Sequence, residues 1–206
     1  MAIDCLRGET KDQHPNDFME WISRHPFENG QKKNSNHSSD QHSIVYPVGR
    51  DIEWCLDFIL QKFNVKSSNV GGIGFCWGVW ALTKACAMGI KFKCGVGFHP
   101  SLKFEDVAHK MDQIDMTKSA AQSTPLLFLV AGNDAENLKP PNGEVAQIIS
   151  SSVHGDEKCE NKQPNCVEFP EMIHGWVSRG DSSVLKVMED AETALNMASG
   201  FLKDWM

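Results

Sequence analysis

The sequence predicts an α/β protein with a doubly wound, mostly parallel sheet and helices on both faces. Short apolar segments punctuated by glycine alternate with longer segments whose apolar residues recur at helical spacing, and this alternation is typical of such sheets. The strongest strand signal, at residues 125–132, is apolar at successive positions. That pattern is expected of a central parallel strand, because both of its faces are buried.

The first predicted elements are a helix, a strand and a second helix. The helix covers Val48–Phe63, since Pro47 precedes it and the apolar residues within it follow helical periodicity. A buried strand is predicted at residues 69–75. It leads without a gap into a helix at residues 77–88, which Gly89 ends.

The alternation continues to the end of the chain. Strands are predicted at residues 94–98, 125–132 and 166–169, and helices at about 145–151 and 184–205. Because a helical segment separates most successive strands, the strands are expected to run parallel.

Composition and charge exclude several classes of protein. The 206 residues include 20 Lys and Arg against 27 Asp and Glu, a formal net charge of -7. We therefore expect no nucleic-acid or membrane partner, because both need clustered positive charge. No apolar run reaches the roughly 18–20 residues of a membrane span, and residues 1–7 lack a signal-peptide pattern, so a cytoplasmic location is predicted. The seven cysteines include no CxxC pair and indicate reduced thiols.

A single domain over residues 1–206 is expected, with residues 28–43 as a flexible surface insertion. This segment contains no large apolar residue, so it cannot bury enough surface to offset the entropy of ordering. It is not expected to be a domain boundary, because the residues before it are too few to fold alone.

The sharpest functional signal is a Gly-x-Cys-x-Gly sequence at residues 74–78, between a predicted strand and a helix. It predicts a nucleophile elbow, in which the two glycines allow a tight, strained turn that lifts Cys76 off the sheet. The helix N-terminus would favour the thiolate, and the backbone N–H of Trp77 would point to an oxyanion formed in acyl transfer. The alternative is a buried structural cysteine beside a glycine-rich turn.

A cysteine nucleophile needs a base, and the base needs an orienting acid. Asp134 follows the strongest strand and His174 follows the last one, which is the chain order of the acid and the base in doubly wound hydrolases. His99, at another strand end, is the best rival for the base and is expected to line the same pocket. Glu136 is the alternative acid, although it lies farther from its strand. Five other histidines lie in polar stretches, and His109 lies in a predicted helix.

Four short motifs carry a resemblance to a known family: Gly-Phe-Cys-Trp-Gly at 74–78, Phe-His-Pro at 98–100, Ala-Gly-Asn-Asp at 131–134 and His-Gly-Trp at 174–176. In combination they resemble the dienelactone hydrolase family, also called carboxymethylenebutenolidase-like. The resemblance implies an α/β-hydrolase fold and hydrolysis of a small-molecule ester or lactone through a thioester acyl-enzyme, without metal or organic cofactor. By motif, Cys76 would be the nucleophile, His174 the base and Asp134 its orienting acid.

Two further positions are interpreted through the same resemblance. Arg179, five residues after His174, resembles a basic residue that family members place near the substrate carboxylate; a solvated loop arginine is the alternative. Val79 stands where many members have another glycine. This departure crowds the first helical turn and leaves the three catalytic positions unchanged.

The resemblance also implies that the chain is truncated at its N-terminus. Residues 1–9 resemble the family's segment at the end of its fourth strand, so the first three strands are expected to be missing. With them would go a second oxyanion N–H donor and an acidic residue near the thiol, and apolar sheet edges would be exposed. The alternatives to an active hydrolase are an inactive chain that associates with a partner through this edge, and a redox-sensing thiol at Cys76.

Overall fold

The computed structural model describes residues 26–27, 47–152 and 165–206. The predicted insertion at 28–43, the segment at 1–9 and the five histidines in polar stretches lie outside the described residues. The described strands form one parallel sheet in the order β1-β2-β3-β4. These strands are β1 Gly72–Phe75, β2 Gly95–Phe98, β3 Leu126–Ala131 and β4 Cys166–Phe169. The predicted α/β class is therefore confirmed.

The register of the sheet aligns the strand ends. Phe75 of β1 pairs with Phe98 of β2, which in turn pairs with Leu129 of β3. Ala131, the last residue of β3, pairs with Phe169, the last residue of β4. The carboxyl ends of all four strands therefore lie along one edge of the sheet, which is where ligands bind in open parallel sheets.

Seven α-helices accompany the sheet in the described residues. They are α1 Val48–Phe63, α2 Trp77–Ala87, α3 Phe104–Val107, α4 Gln113–Ser123, α5 Glu144–Ser151, α6 Trp176–Arg179 and α7 Leu185–Trp205. Short 3-10 helices cover Ser67–Asn69 and Glu136–Leu138. None of the helices in the described ranges combines the length and apolarity that crossing a membrane would require.

The predicted elements all occur, with corrections at their ends. Helix α1 and strand β4 have the predicted bounds. Strand β1 begins at Gly72 and not at residue 69, because the 3-10 turn at Ser67–Asn69 closes with a hydrogen bond from the Val70 N–H to the Ser67 carbonyl at 3.1 Å.

For three helices, α3, α4 and α6, the sequence analysis gave no bounds. Helix α4 has a recognisable N-cap, because the Asp112 carboxylate accepts a hydrogen bond from the Ile114 N–H at 2.7 Å. Its buried face carries small or polar residues such as Thr117 and Ala120, so its apolar periodicity is weak. The prediction that His109 lies in a helix is wrong, since α3 ends at Val107 and His109 follows in the loop.

Strand β3 is buried on both faces and separates two apolar clusters. Phe128 belongs to the cluster formed with α1, α2, α4 and α5, whereas Leu129 belongs to the cluster formed with α6 and α7. The continuous apolar run of this strand is thus explained by a helical layer on each side of the sheet, as parallel sheets require.

Candidate active site

Cys76 occupies a strained turn between β1 and α2. Its backbone has φ 52° and ψ -116°, a conformation that costs a non-glycine residue about 1–3 kcal/mol. The turn is held in place by two hydrogen bonds: the Cys76 N–H donates to the Phe98 carbonyl at 3.0 Å, and the Ser101 N–H donates to the Cys76 carbonyl at 3.3 Å. The thiol is thereby held at the N-terminus of α2.

The two glycines of the elbow differ in their steric roles. A Cβ built on Gly74 would lie 2.6 Å from the Gly78 carbonyl oxygen, so position 74 needs glycine. A Cβ built on Gly78 meets no atom within 4 Å. The expectation that both glycines are needed for a tight turn is therefore supported sterically at Gly74 alone.

The structure brings together the three side chains that were predicted as nucleophile, base and acid. The His174 Nε2 lies 3.0 Å from the Cys76 Sγ, and the His174 Nδ1 lies 2.5 Å from the Asp134 Oδ1. The second carboxylate oxygen, Oδ2, accepts a hydrogen bond from the Ala131 N–H at 2.8 Å. Asp134 is buried and His174 is half-buried. The carboxylate therefore holds the imidazole ring from its buried side.

The loops after β3 and β4 are tied to each other, and this fixes the imidazole. The Asn133 Oδ1 accepts a hydrogen bond from the His174 N–H at 2.6 Å. The Gly132 N–H points at the carbonyls of Phe169 and Met172, at 3.0 and 2.9 Å. A Cβ on Gly132 would lie 2.0 Å from the Pro170 carbonyl oxygen, so only glycine permits this approach.

The pKa values of Cys76 and His174 move in opposite directions. Burial would raise the pKa of the Cys76 thiol, but the hydrogen bond to His174, aided by His99 and Ser101, lowers it to about 5. The hydrogen bond to Asp134 and then the one to Cys76 raise the pKa of His174 to about 9 against the effect of burial. At neutral pH the two side chains therefore form a thiolate–imidazolium pair.

The other described cysteines are ordinary buried thiols. Burial raises the pKa of Cys86 to about 11, that of Cys94 to about 11 and that of Cys166 to about 12. The pKa of Cys55 is also raised by burial. Of the five described cysteines, Cys76 is the one whose pKa is lowered.

His99 and Ser101 lie beside the thiol, on the segment that follows β2. The Ser101 Oγ is 3.4 Å from the Cys76 Sγ. His99 is 1% exposed, and its ring centroid lies 4.8 Å from that of His174. His99 therefore lies beside Cys76 and His174. Ser101 was missed, although its place after the Phe-His-Pro motif is a signal that could have suggested it.

Three further positions came from the sequence: Trp77, Arg179 and the alternative acid Glu136. Trp77 is the first residue of α2, so its N–H is among those with no partner inside the helix. The exposed Arg179 folds its guanidinium over Gly175, where a built Cβ would lie 2.7 Å from Nη2. Glu136 is exposed and pairs with Lys139 at 2.6 Å, whereas the carboxylate of Asp134 holds His174.

A parallel sheet flanked by helices, with a strand–turn–helix elbow at one strand end, is the architecture of an α/β hydrolase. The model of the dienelactone hydrolase family matches residues 26–206. The chain therefore belongs to the dienelactone hydrolase family, and this membership implies hydrolase activity. Neither a search of curated proteins nor a search of solved structures gave a match.

Proposed function

We propose that the protein hydrolyses a small-molecule carboxylic ester or lactone with Cys76 as nucleophile, His174 as acid and base, and Asp134 as the residue that orients His174. The observation that carries this proposal is the continuous line of contacts from the Cys76 Sγ through the imidazole to the Asp134 carboxylate, at 3.0 and 2.5 Å. Membership in the dienelactone hydrolase family supports the same substrate class.

The first half of the reaction acylates the thiol. The Cys76 thiolate attacks the carbonyl carbon, and the carbonyl oxygen takes up the electron pair as an oxyanion. The backbone N–H of Trp77 donates a hydrogen bond to that oxyanion. When the tetrahedral intermediate collapses, the His174 imidazolium gives its proton to the leaving alcohol oxygen, and a thioester on Cys76 remains.

The second half restores the enzyme. His174, now neutral, removes a proton from a water molecule that attacks the thioester carbonyl. Collapse of the second tetrahedral intermediate releases the carboxylic acid and returns the thiolate beside an imidazolium. For a lactone, the alcohol and the acid are parts of one product. The Asp134 carboxylate orients His174 and stabilises the imidazolium.

Two further residues are proposed to contact the substrate. His99 forms a buried wall of the site beside Cys76 and His174. Arg179 lies one helical turn beyond His174, near Gly175. Its guanidinium is a bidentate partner for a carboxylate, so a substrate with a second, ionised carboxylate fits this arrangement.

The test compares wild type with Cys76→Ala on a panel of p-nitrophenyl esters and enol-lactones. We expect hydrolysis by wild type and its loss in Cys76→Ala, because the attacking sulfur is absent. Cys55→Ala is the matched control, since Cys55 lies in α1 away from the thiolate pair and should keep wild-type turnover. Equal hydrolysis by wild type and Cys76→Ala would refute the assignment.

A second candidate function is association with a partner through the edge of β1. In the described residues β1 pairs with β2 alone, and Ile73 and Phe75 are 54% and 40% exposed. Exposed apolar residues on a strand edge favour pairing with another chain. Size-exclusion chromatography with light scattering tests this: a compact monomer that hydrolyses esters would eliminate the second candidate.

A further inference from the structure

We propose that Cys76, His99 and His174 also form a binding site for a zinc ion, which inhibits the protein by occupying its nucleophile and base. The Cys76 Sγ and one ring nitrogen from each histidine all lie within 4.8 Å of one another. No other group of three such ligands occurs among the residues that the structure describes. Inhibition rests on the proposed function, whereas the metal site itself does not.

The three donor atoms match the chemistry and the spacing that zinc requires. Zinc binds thiolate sulfur at about 2.3 Å and imidazole nitrogen at about 2.0–2.1 Å in tetrahedral sites, which sets donor atoms roughly 3.4–3.6 Å apart. The Cys76 Sγ and the His174 Nε2 are 3.0 Å apart, so a small side-chain rotation would open the required gap. Three protein ligands leave the fourth position to a water molecule.

His99 provides an independent indication of a ligand. It is 1% exposed, and although its nearness helps to lower the pKa of Cys76, neither of its ring nitrogens has a partner within hydrogen-bond distance and angle in the described part of the chain. Leaving a buried polar group without a partner is unfavourable. A metal ion shared with Cys76 and His174 would satisfy one of these nitrogens.

Asp134 contacts His174 as a carboxylate contacts a zinc-binding histidine in many metal sites. Its carboxylate accepts the Nδ1–H of His174 at 2.5 Å, which leaves Nε2 as the atom that faces Cys76. Carboxylate–histidine–zinc arrangements of this kind fix the ring and raise the basicity of the ligating nitrogen. Zinc would replace the proton between His174 and Cys76, and that proton would leave to solvent.

The binding experiment uses the full chain, zinc for calorimetry and cobalt(II) as the spectroscopic probe. We expect one bound cobalt ion, with the visible bands of a tetrahedral site and a thiolate-to-cobalt charge-transfer band that is lost in Cys76→Ala. In His99→Asn the zinc affinity should fall at least about tenfold. Asparagine is chosen because His99 has φ 41°, a conformation that asparagine tolerates.

His109→Gln and Cys55→Ala are the matched controls for a histidine and a cysteine outside the cluster, and both should bind zinc as wild type does. Circular dichroism of every variant separates loss of a ligand from loss of the fold. The absence of a thiolate–cobalt band, or equal zinc affinity in folded His99→Asn and wild type, would overturn the three-ligand site.

Inhibition is measured separately from binding. The zinc concentration that halves the rate of ester hydrolysis should match the dissociation constant measured by calorimetry. A chelator should restore the rate. If metal-free wild type hydrolyses no ester but still binds zinc through Cys76 and His99, the proposed function fails and the metal site stands. Zinc bound at the cluster without effect on a measurable hydrolysis would overturn the inhibitory role.

Discussion

At the scale of single residues, the proposed chemistry depends on the charge pair between Cys76 and His174. The thiol pKa of about 5 and the imidazole pKa of about 9 belong to two coupled groups, so the protons leave the pair in two steps. Between these steps the nucleophile is already a thiolate and the acid is already protonated. The pair thus has the charges that the proposed acyl transfer needs before a substrate binds.

This pair predicts a bell-shaped pH dependence. As pH rises through about 5 the thiolate forms and kcat/KM for ester hydrolysis should increase; as pH rises through about 9 His174 loses the proton needed by the leaving group, and kcat/KM should decrease. The alkylation rate of Cys76 with iodoacetamide, measured against pH, reports the lower step directly. An inflection near the ordinary thiol value of about 8.5 would contradict the prediction.

The variant His174→Ala tests whether His174 is the group that lowers the pKa of the Cys76 thiol. It removes the hydrogen bond and the positive charge that lower the pKa of Cys76, while burial continues to raise it. The alkylation inflection should therefore move to higher pH than in wild type. An unchanged inflection in His174→Ala would show that another group ionises the thiol.

At the scale of elements, the β1–α2 turn explains why the thiol points into the site. The strained conformation of Cys76 is held by hydrogen bonds to Phe98 and from Ser101, so β2 and its following loop stabilise the elbow. Gly74 and Gly78 contribute differently, because a Cβ at 74 would collide with backbone and a Cβ at 78 would not. The elbow therefore depends on the close packing of β1 against the first turn of α2.

Alanine substitutions of Gly74 and Gly78 test this steric difference, with each variant as the control for the other. Gly74→Ala should lower the free energy of unfolding by about 1–3 kcal/mol, the usual cost of overpacking, and should displace Cys76. Gly78→Ala should keep or slightly raise stability, since alanine is favoured in helices by up to about 1 kcal/mol. Urea denaturation of both variants measures the difference. Equal losses at the two positions would contradict the steric explanation.

At the scale of the whole molecule, the parallel sheet collects residues that are far apart in the chain. Cys76 and His174 are 98 residues apart, yet they meet because β1 and β4 end at the same edge. The loops after β3 and β4 are further joined through Gly132. The geometry of the site thus depends on the stability of the central strands.

A substitution of Phe128, at the middle of β3, tests how much the central strands contribute to stability. The Phe128 side chain is fully buried between the sheet and the helices of one layer, so Phe128→Ala should lower the free energy of unfolding by about 3–5 kcal/mol. Phe63→Ala is the control, because Phe63 at the end of α1 is 59% exposed and should change stability by about 0.5 kcal/mol or less. Equal effects in urea denaturation would contradict the burial of β3 between the two helical layers.

Much of the fold could be predicted from the sequence, because its strands and most of its helices have strong local patterns. The run at 125–132 and the periodicity of Val48–Phe63 needed no tertiary information. Helix α4 could not be recognised in this way, since three of its four buried residues are small or polar and it packs against α2. His109 was wrongly assigned to a helix for a different reason: sequence patterns do not show where a short helix ends.

The sequence by itself determined which residues stand at the strand ends, because strand–turn–helix patterns locate Cys76, Asp134 and His174 in the chain. The tertiary structure alone decided their distances, the burial of His99 and the contact of Ser101 with the thiol. The physical reason is that hydrophobic patterns reflect burial and local backbone preference, whereas a thiolate, its partners and their shifted pKa values depend on side chains that only the folded sheet brings within hydrogen-bond distance.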